Sequence, residues 1–155
     1  MTASPSSADD PLKLGGFLCF AVYSASHAFN RVYKPLLDAL GLTYPQYLVM
    51  VALWEQDDQT VGALGAKLFL ESSTLTPLLK RLEAQGRITR TRDPRDERQV
   101  RVRLTSVGQA LRERAAEVPS CVLAASGLDL SNLQRLQSEI TALRDSLEAV
   151  ADQAA

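Results

Sequence analysis

Sulfur and imidazole are scarce in this chain of 155 residues, which has two cysteines (Cys19 and Cys121), two methionines and one histidine, His27. Two cysteines do not make the stapled framework of a small secreted domain. A single histidine with no cysteine cluster beside it lacks the ligand set of a zinc or iron centre, so no metal and no cofactor is expected. Long apolar runs are missing too. The most apolar stretch, PLKLGGFLCFAVYSASHAF, is interrupted by Lys13, Gly15, Gly16, two serines and His27, which argues against a membrane span. The opening MTASPSSADD has no basic segment followed by an apolar one. It reads as a disordered tail over residues 1–10 rather than a signal peptide, and a cytoplasmic location is expected. No internal repeat is visible. What the chain does have is 46% apolar residues, enough for one sizeable core.

Charge is distributed unevenly. The totals nearly cancel, with 17 Lys+Arg against 18 Asp+Glu, yet the segment from Lys80 to Arg103 holds nine basic residues and four acids. Such a concentration in a neutral chain is the footprint of a surface that meets a polyanion, because each neutralised phosphate releases a counterion. A solvated charged face is the plainer alternative. The elements around the segment decide between the two.

Asp10 and Pro11 form a cap and a favoured first helical residue, so a long first helix is expected from Pro11 to Tyr33, broken at Lys34 by Pro35. Thr43 and Gln46 make a capping-box pattern ahead of the buried helix YPQYLVMVALWEQ. Thr60 can cap VGALGAKLFL, and Ser72 or Ser73 can cap STLTPLLKRLEAQG, which stops at Gly86. These two short helices read as a helix-turn-helix. Alternation then takes over: Ile88 with Arg87 and Thr89, then Val100, Val102 and Leu104 with Arg101 and Arg103, on either side of DPRDER. That is a β-hairpin with apolar residues inward and arginines outward. Thr105 or Ser106 caps the next helix, and Ser131 a last amphipathic one with apolar positions 133, 136, 140, 143, 147 and 150. That last stripe needs a partner.

Helix, turn, helix and arginine-bearing hairpin make a winged helix. The fold class is therefore mainly α with a small hairpin wing: a winged helix-turn-helix domain over 36–107, flanked by helices at 11–35 and 108–155. Double-stranded operator DNA is the expected partner. Ser73, Thr74 and Arg81 are placed near base edges, and Ser72, Thr76 and Lys80 near phosphates, at a helix N-terminus that suits the major groove. Arg92, Arg95 and Arg98 at the hairpin tip suit the strongly negative minor groove. Taken alone, SSTLT reads more readily as a plain capping run, and it is the charged hairpin directly after it that favours the DNA reading.

The stretches DPRDERQVRVRLTSVG and LESSTLTPLLKRLEAQGRITR resemble the wing and the recognition helix of the MarR-type winged-helix regulators. The resemblance runs from about Lys13 to Val150. It implies a homodimer with interlocked N- and C-terminal helices, and it implies that Asp96 holds Arg98 for the minor groove. Within that family, Cys19 in FLCFAVYSASHAFNRVY, together with VYKPLLDALGLTYPQYLVM and TLTPLLKR, is similar to the organic-hydroperoxide sensors of the OhrR group. This implies that Cys19 is the peroxide-reactive thiol, that Tyr33 and Tyr44 of the other subunit donate hydrogen bonds to its thiolate, and that Cys121 is the resolving thiol of an intersubunit disulfide. Cys19 and Tyr33 lie fourteen residues apart, about 21 Å along a straight helix, and cannot touch within one chain.

The implied function is a repressor that binds operator DNA when reduced and leaves it when an organic hydroperoxide oxidises Cys19. Three other readings compete. Each cysteine could be a small buried hydrophobe. The regulator could answer to a non-covalent ligand with inert cysteines. An enzymatic thiol peroxidase is disfavoured, because it would need a recycling reductant and leave the wing without a task, so the chain is read as not an enzyme. Trp54, Phe17, Phe20 and Phe29 are expected in the core or, following the resemblance, as an apolar wall favouring organic over hydrogen peroxide.

Overall fold

The computed structural model describes residues 10–155, so the expected tail, apart from Asp10, lies outside the described residues. Asp10 caps only a turn, its Oδ1 accepting from the Leu12 N–H at 3.0 Å. A 3-10 turn at Leu14–Gly16 follows, and helix α1 runs from Leu18 to Asp38. It starts later than expected because Gly15 and Gly16 are poor helix formers and Phe17 is extended. Nor does it break at Lys34. Pro35 lies inside the helix, and the hydrogen bond lost there is outweighed by burial of Leu37 and Leu40, 2% and 5% exposed.

Helix α2, Tyr44–Glu55, opens on the expected capping box: Thr43 Oγ1 accepts from Gln46 N–H, and Gln46 Oε1 accepts from Thr43 N–H. Its buried residues include Tyr47, Val49, Met50 and Leu53, as suits a helix surrounded by others. Helix α3, Val61–Leu68, is capped by Thr60 as expected, with its Oγ1 3.1 Å from the Ala63 nitrogen. Helix α4 spans Ser72–Ala84 and ends before Gly86, whose φ of +72° suits glycine. Its N-cap position is Glu71 rather than Ser72 or Ser73, with no side-chain cap bond, so Pro77 falls in the second turn instead of the first.

The hairpin is present, with β2 at Ile88–Arg92 antiparallel to β3 at Val100–Leu104. A third short strand, β1 at Gln59–Thr60, pairs with β3 and gives the order β1-β3-β2. Leu64, Leu75, Leu79, Leu82, Ile88 and Val102 are essentially fully buried between the sheet and α2–α4.

Thr105 caps α5, Ser106–Ala115, by accepting from Gly108 N–H at 3.0 Å. Helix α6, Val118–Ser126, begins beside Pro119 and packs on α1. Helix α7, Leu130–Ala154, is capped by Asp129 rather than Ser131, through a 2.7 Å bond from the Asn132 nitrogen. No residue of α7 is buried, and in α1 only Leu37 is. The expected core phenylalanines are instead exposed: Phe17, Phe20 and Phe29 retain 36, 39 and 47% of their surface. Among the described residues no helix is long and apolar enough to cross a membrane.

Candidate nucleic-acid interface and thiol site

Of the seven arginines between 87 and 105, four are bonded to partners within the fold. Arg87 donates to the carbonyls of Leu40 and Gly41 at 2.7 and 3.2 Å. Arg90 meets Glu83 at 3.0 Å. Arg101 bridges Asp58 at 2.7 Å and Asp93 at 3.1 Å, and Arg103 also reaches Asp58, at 3.0 Å. The hairpin's charge is thus partly internal bracing, which corrects the expectation that its arginines all face outward. The carboxylates record this in their acidity. Asp58 and Glu83 are held below the usual carboxylate range first by bonds from Arg101 and Arg90, and Asp93 by the Arg95 backbone N–H.

The remainder form the free basic surface. Lys80, Arg81, Arg92 and Arg95 make no ion pair among the described residues, and all four are exposed. Arg98 is pinned by Asp96, with Nε 3.0 Å from Oδ1 and Nη2 3.2 Å from Oδ2, yet its side chain is 91% exposed. That bond is also the first cause of the lowered pKa of Asp96. A groove of about 530 Å³ runs between the start of α4 and the wing, lined by Ser72 and Thr76 on one side and Arg98 and Gln99 on the other. Ser72, Thr76 and Arg98 are therefore brought together. Ser73 and Thr74 are exposed on the same helix end but do not line the groove, and neither do Lys80, Arg81, Arg92 or Arg95.

Cys19 is the second residue of α1 and Cys121 lies in α6; both are free and exposed. The reading of either as a buried core residue does not hold. Because α1 is continuous from Leu18 to Asp38, the separation of about 21 Å between Cys19 and Tyr33 stands. Tyr33 sits instead with Tyr44, ring centroids 4.8 Å apart, and with Tyr47 at 5.8 Å. Burial, followed by the neighbouring Tyr44 and Tyr47, pushes the Tyr33 phenol up to about 12, so it is a neutral donor across the physiological range. An open groove of about 370 Å³ beside it is lined by Val22, Phe29, Tyr33, Tyr44 and Ile140.

The two thiols are not bonded to each other. Val122, next to Cys121, lines a groove with Ala25, Ala28, Phe29 and Val32 of α1. Cys19 lies six residues, about 9 Å along α1, beyond the near end of that groove.

Two participants escaped the sequence reading. Tyr47 completes the aromatic cluster, and its i, i+3 spacing from Tyr44 was a usable signal. Asp58, with a φ of +58°, anchors the sheet through Arg101 and Arg103 across more than forty residues of sequence, and nothing local marks it.

Comparison with known proteins agrees with this geometry. Residues 31–114 match the family described as "Transcriptional regulator SarA/Rot". The chain is 45% identical over 138 residues to the organic hydroperoxide resistance transcriptional regulator of Bacillus subtilis, covering 89% of this chain and 94% of that protein. It is 48% identical over 141 residues to the HTH-type transcriptional regulator TtmR of Methylorubrum extorquens, covering 91% and 72%. Among solved structures, reduced AbfR bound to DNA shares 36% identity with a TM-score of 0.75, over 86% of this chain and 91% of that one. AbfR, from Staphylococcus epidermidis, is also known overoxidized on DNA, with a TM-score of 0.68, and in a disulfide form, at 0.58. Fold, basic wing and these similarities establish that the chain belongs to the MarR/SarA-type winged-helix transcriptional regulators.

Proposed function

We propose that this regulator is a redox-responsive repressor: a homodimer that binds operator DNA when reduced and releases it once an organic hydroperoxide has oxidised Cys19. The observation that carries this reading is the unpartnered α1 face, which has Cys19 near one end and Tyr33 toward the other. A second copy packed antiparallel along α1 brings Tyr33 and Tyr44 of one subunit to Cys19 of the other. Exposed Leu18, Phe20 and Val22 on α1 and Leu136, Ile140 and Leu147 on α7 supply the apolar area such a dimer buries.

The chemistry follows. The Cys19 thiolate, accepting hydrogen bonds from neutral phenols, attacks the terminal peroxide oxygen. The O–O bond breaks, and the alkoxide leaves and is protonated to the alcohol, while the sulfur becomes a sulfenic acid. The Cys121 thiolate of the other subunit then attacks that sulfur, the S–O bond breaks and water leaves. Two thiols have supplied the two electrons that reduce the hydroperoxide. The disulfide is the step assigned to DNA release, because overoxidized AbfR is known on DNA while its disulfide form is less like the present fold than its reduced form. On the DNA side, Ser73, Thr74 and Arg81 face the base edges of the major groove, Ser72, Thr76 and Lys80 the phosphates, and Arg92, Arg95 and Asp96-held Arg98 the minor groove.

Treating the reduced protein with one equivalent of an organic hydroperoxide, blocking free thiols and measuring intact mass without reductant tests the reading. A covalent dimer that is lost in both Cys19→Ser and Cys121→Ser is expected. Unoxidised thiols would move the signal to a non-covalent ligand.

A further inference from the structure

Arg87 has an unusual set of partners. Among the described residues its guanidinium meets no carboxylate, and it donates to the carbonyls of Leu40 and Gly41, just past the end of α1. Arg114 of α5 donates to the neighbouring Ala39 carbonyl at 2.7 Å. Two arginines thus hold the C-terminal end of the helix that carries Cys19 in its first turn, where orphan carbonyls and the helix dipole favour cations.

The backbone of Arg87 opens the wing. Its N–H donates to the Leu82 carbonyl at the end of α4, and its carbonyl accepts from the Thr105 N–H, at 3.0 and 3.1 Å. Thr105 closes the wing. Its hydroxyl donates to the Gly86 carbonyl at 2.6 Å and accepts from Gly108 N–H, whose own carbonyl accepts from Trp54 Nε1 at 2.9 Å. Contact here is very close: a Cβ on Gly108 would lie 2.0 Å from the Arg87 carbonyl oxygen, so no other residue fits without displacing the strand. The wing is therefore fastened at both of its roots, by Arg87 to the end of α1 and by Thr105 to α5 and α2.

We propose that Arg87 and Thr105 are positioning residues that fix the wing relative to the sensing helix, so that a shift of α1 on oxidation reaches Arg98 through these bonds. The inference rests on the redox reading above and adds to it the connection between thiol and wing. Neither residue touches DNA or the thiols in this account. Arg87 and Thr105 act at the roots of the hairpin, whereas Arg98 stands at its far end.

The test measures operator affinity in the reduced and disulfide states, on a duplex selected from a random pool with the reduced wild-type protein, and takes the ratio. Thr105→Val removes the hydroxyl bonds at nearly constant shape, Thr105→Ser restores them, and Arg87→Met removes the bonds to Leu40 and Gly41. Arg87→Lys, which keeps the charge and one donor, serves if Arg87→Met does not fold. Disulfide formation, followed by intact mass, is expected at the wild-type rate in all of them. The reduced-to-disulfide ratio is expected to fall at least about fivefold in Thr105→Val and the Arg87 variant, roughly the worth of one hydrogen bond, and to recover in Thr105→Ser. A lowered melting temperature with an unchanged ratio would make both residues scaffold only and overturn the proposal. A wild-type protein that forms no disulfide would overturn the redox reading, and this inference with it.

Discussion

Arg98 and Asp96 form a two-point pair, with Nε and Nη2 of the guanidinium at 3.0 and 3.2 Å from the two carboxylate oxygens, while 91% of the arginine side chain faces solvent. An exposed pair of this kind contributes little to stability. What it does is hold a charge ready at the wing tip before DNA arrives, so less side-chain freedom is lost on binding. Arg98→Ala should weaken operator binding about tenfold and lower the slope of log affinity against log salt by about 1. Asp96→Ala should cost a smaller factor, about threefold, with the slope unchanged, since the charge remains but is no longer aimed. Titrations by fluorescence anisotropy at several salt concentrations separate the two.

The caps of α2 and α4 give a contrasting pair. Thr43→Ala removes half of a capping box and should cost about 1 kcal/mol in chemical denaturation. Ser72→Ala should leave stability within about 0.5 kcal/mol, because Ser72 makes no cap bond. The same Ser72→Ala protein should bind operator more weakly, since that hydroxyl lines the groove shared with Arg98.

Acid should loosen the wing. Asp58, Asp93, Asp96 and Glu83 all have their pKa values lowered by their arginine or backbone partners. A lowered folded value means the pairs stabilise the fold above the unfolded carboxylate range, about pH 4, and that this contribution is lost as pH falls through the folded values. Melting temperature should therefore hold between neutral pH and about pH 5 and then drop. The drop should be shallower in Asp58→Asn, and amide exchange in residues 88–104 should accelerate with it.

Tyr33→Phe should slow oxidation of Cys19 by an organic hydroperoxide about tenfold, the loss of one charge-assisted hydrogen bond. With the Tyr33 phenol pushed up to about 12, no inflection from its ionisation should appear in the rate below pH 10. Thiol loss followed by mass against time, for wild type and variant, reads both effects.

Local signals carried far in this chain. The caps at Thr43, Thr60 and Thr105 were legible because a cap involves only the next three residues, and the hairpin because alternation is a local pattern. Failures cluster where distant partners decide. Pro35 stays inside α1 because Leu37 and Leu40 are buried by other elements. Arg101 and Arg103 belong to the alternation that marks an outer face, yet Asp58 and Asp93 bond them back to the fold. Strand β1 is two residues long and exists only because β3 lies beside it. For the thiol site, Cys19, Tyr33 and Tyr44 came from resemblance to a family. The structure contributes the third tyrosine and the unpartnered face on which the site's proposed second half would pack.

The central claim is that the disulfide crosses between subunits, and mixed dimers test it most directly. Cys19→Ser and Cys121→Ser chains, co-expressed with an affinity tag on one of them, give heterodimers with a single Cys19 and a single Cys121 on opposite subunits. Oxidation of the purified heterodimer by an organic hydroperoxide should give a covalent dimer containing one tagged and one untagged chain, linked through Cys19 and Cys121. Heterodimers that remain uncrosslinked, while wild-type chains form the same bond within single subunits, would contradict the account.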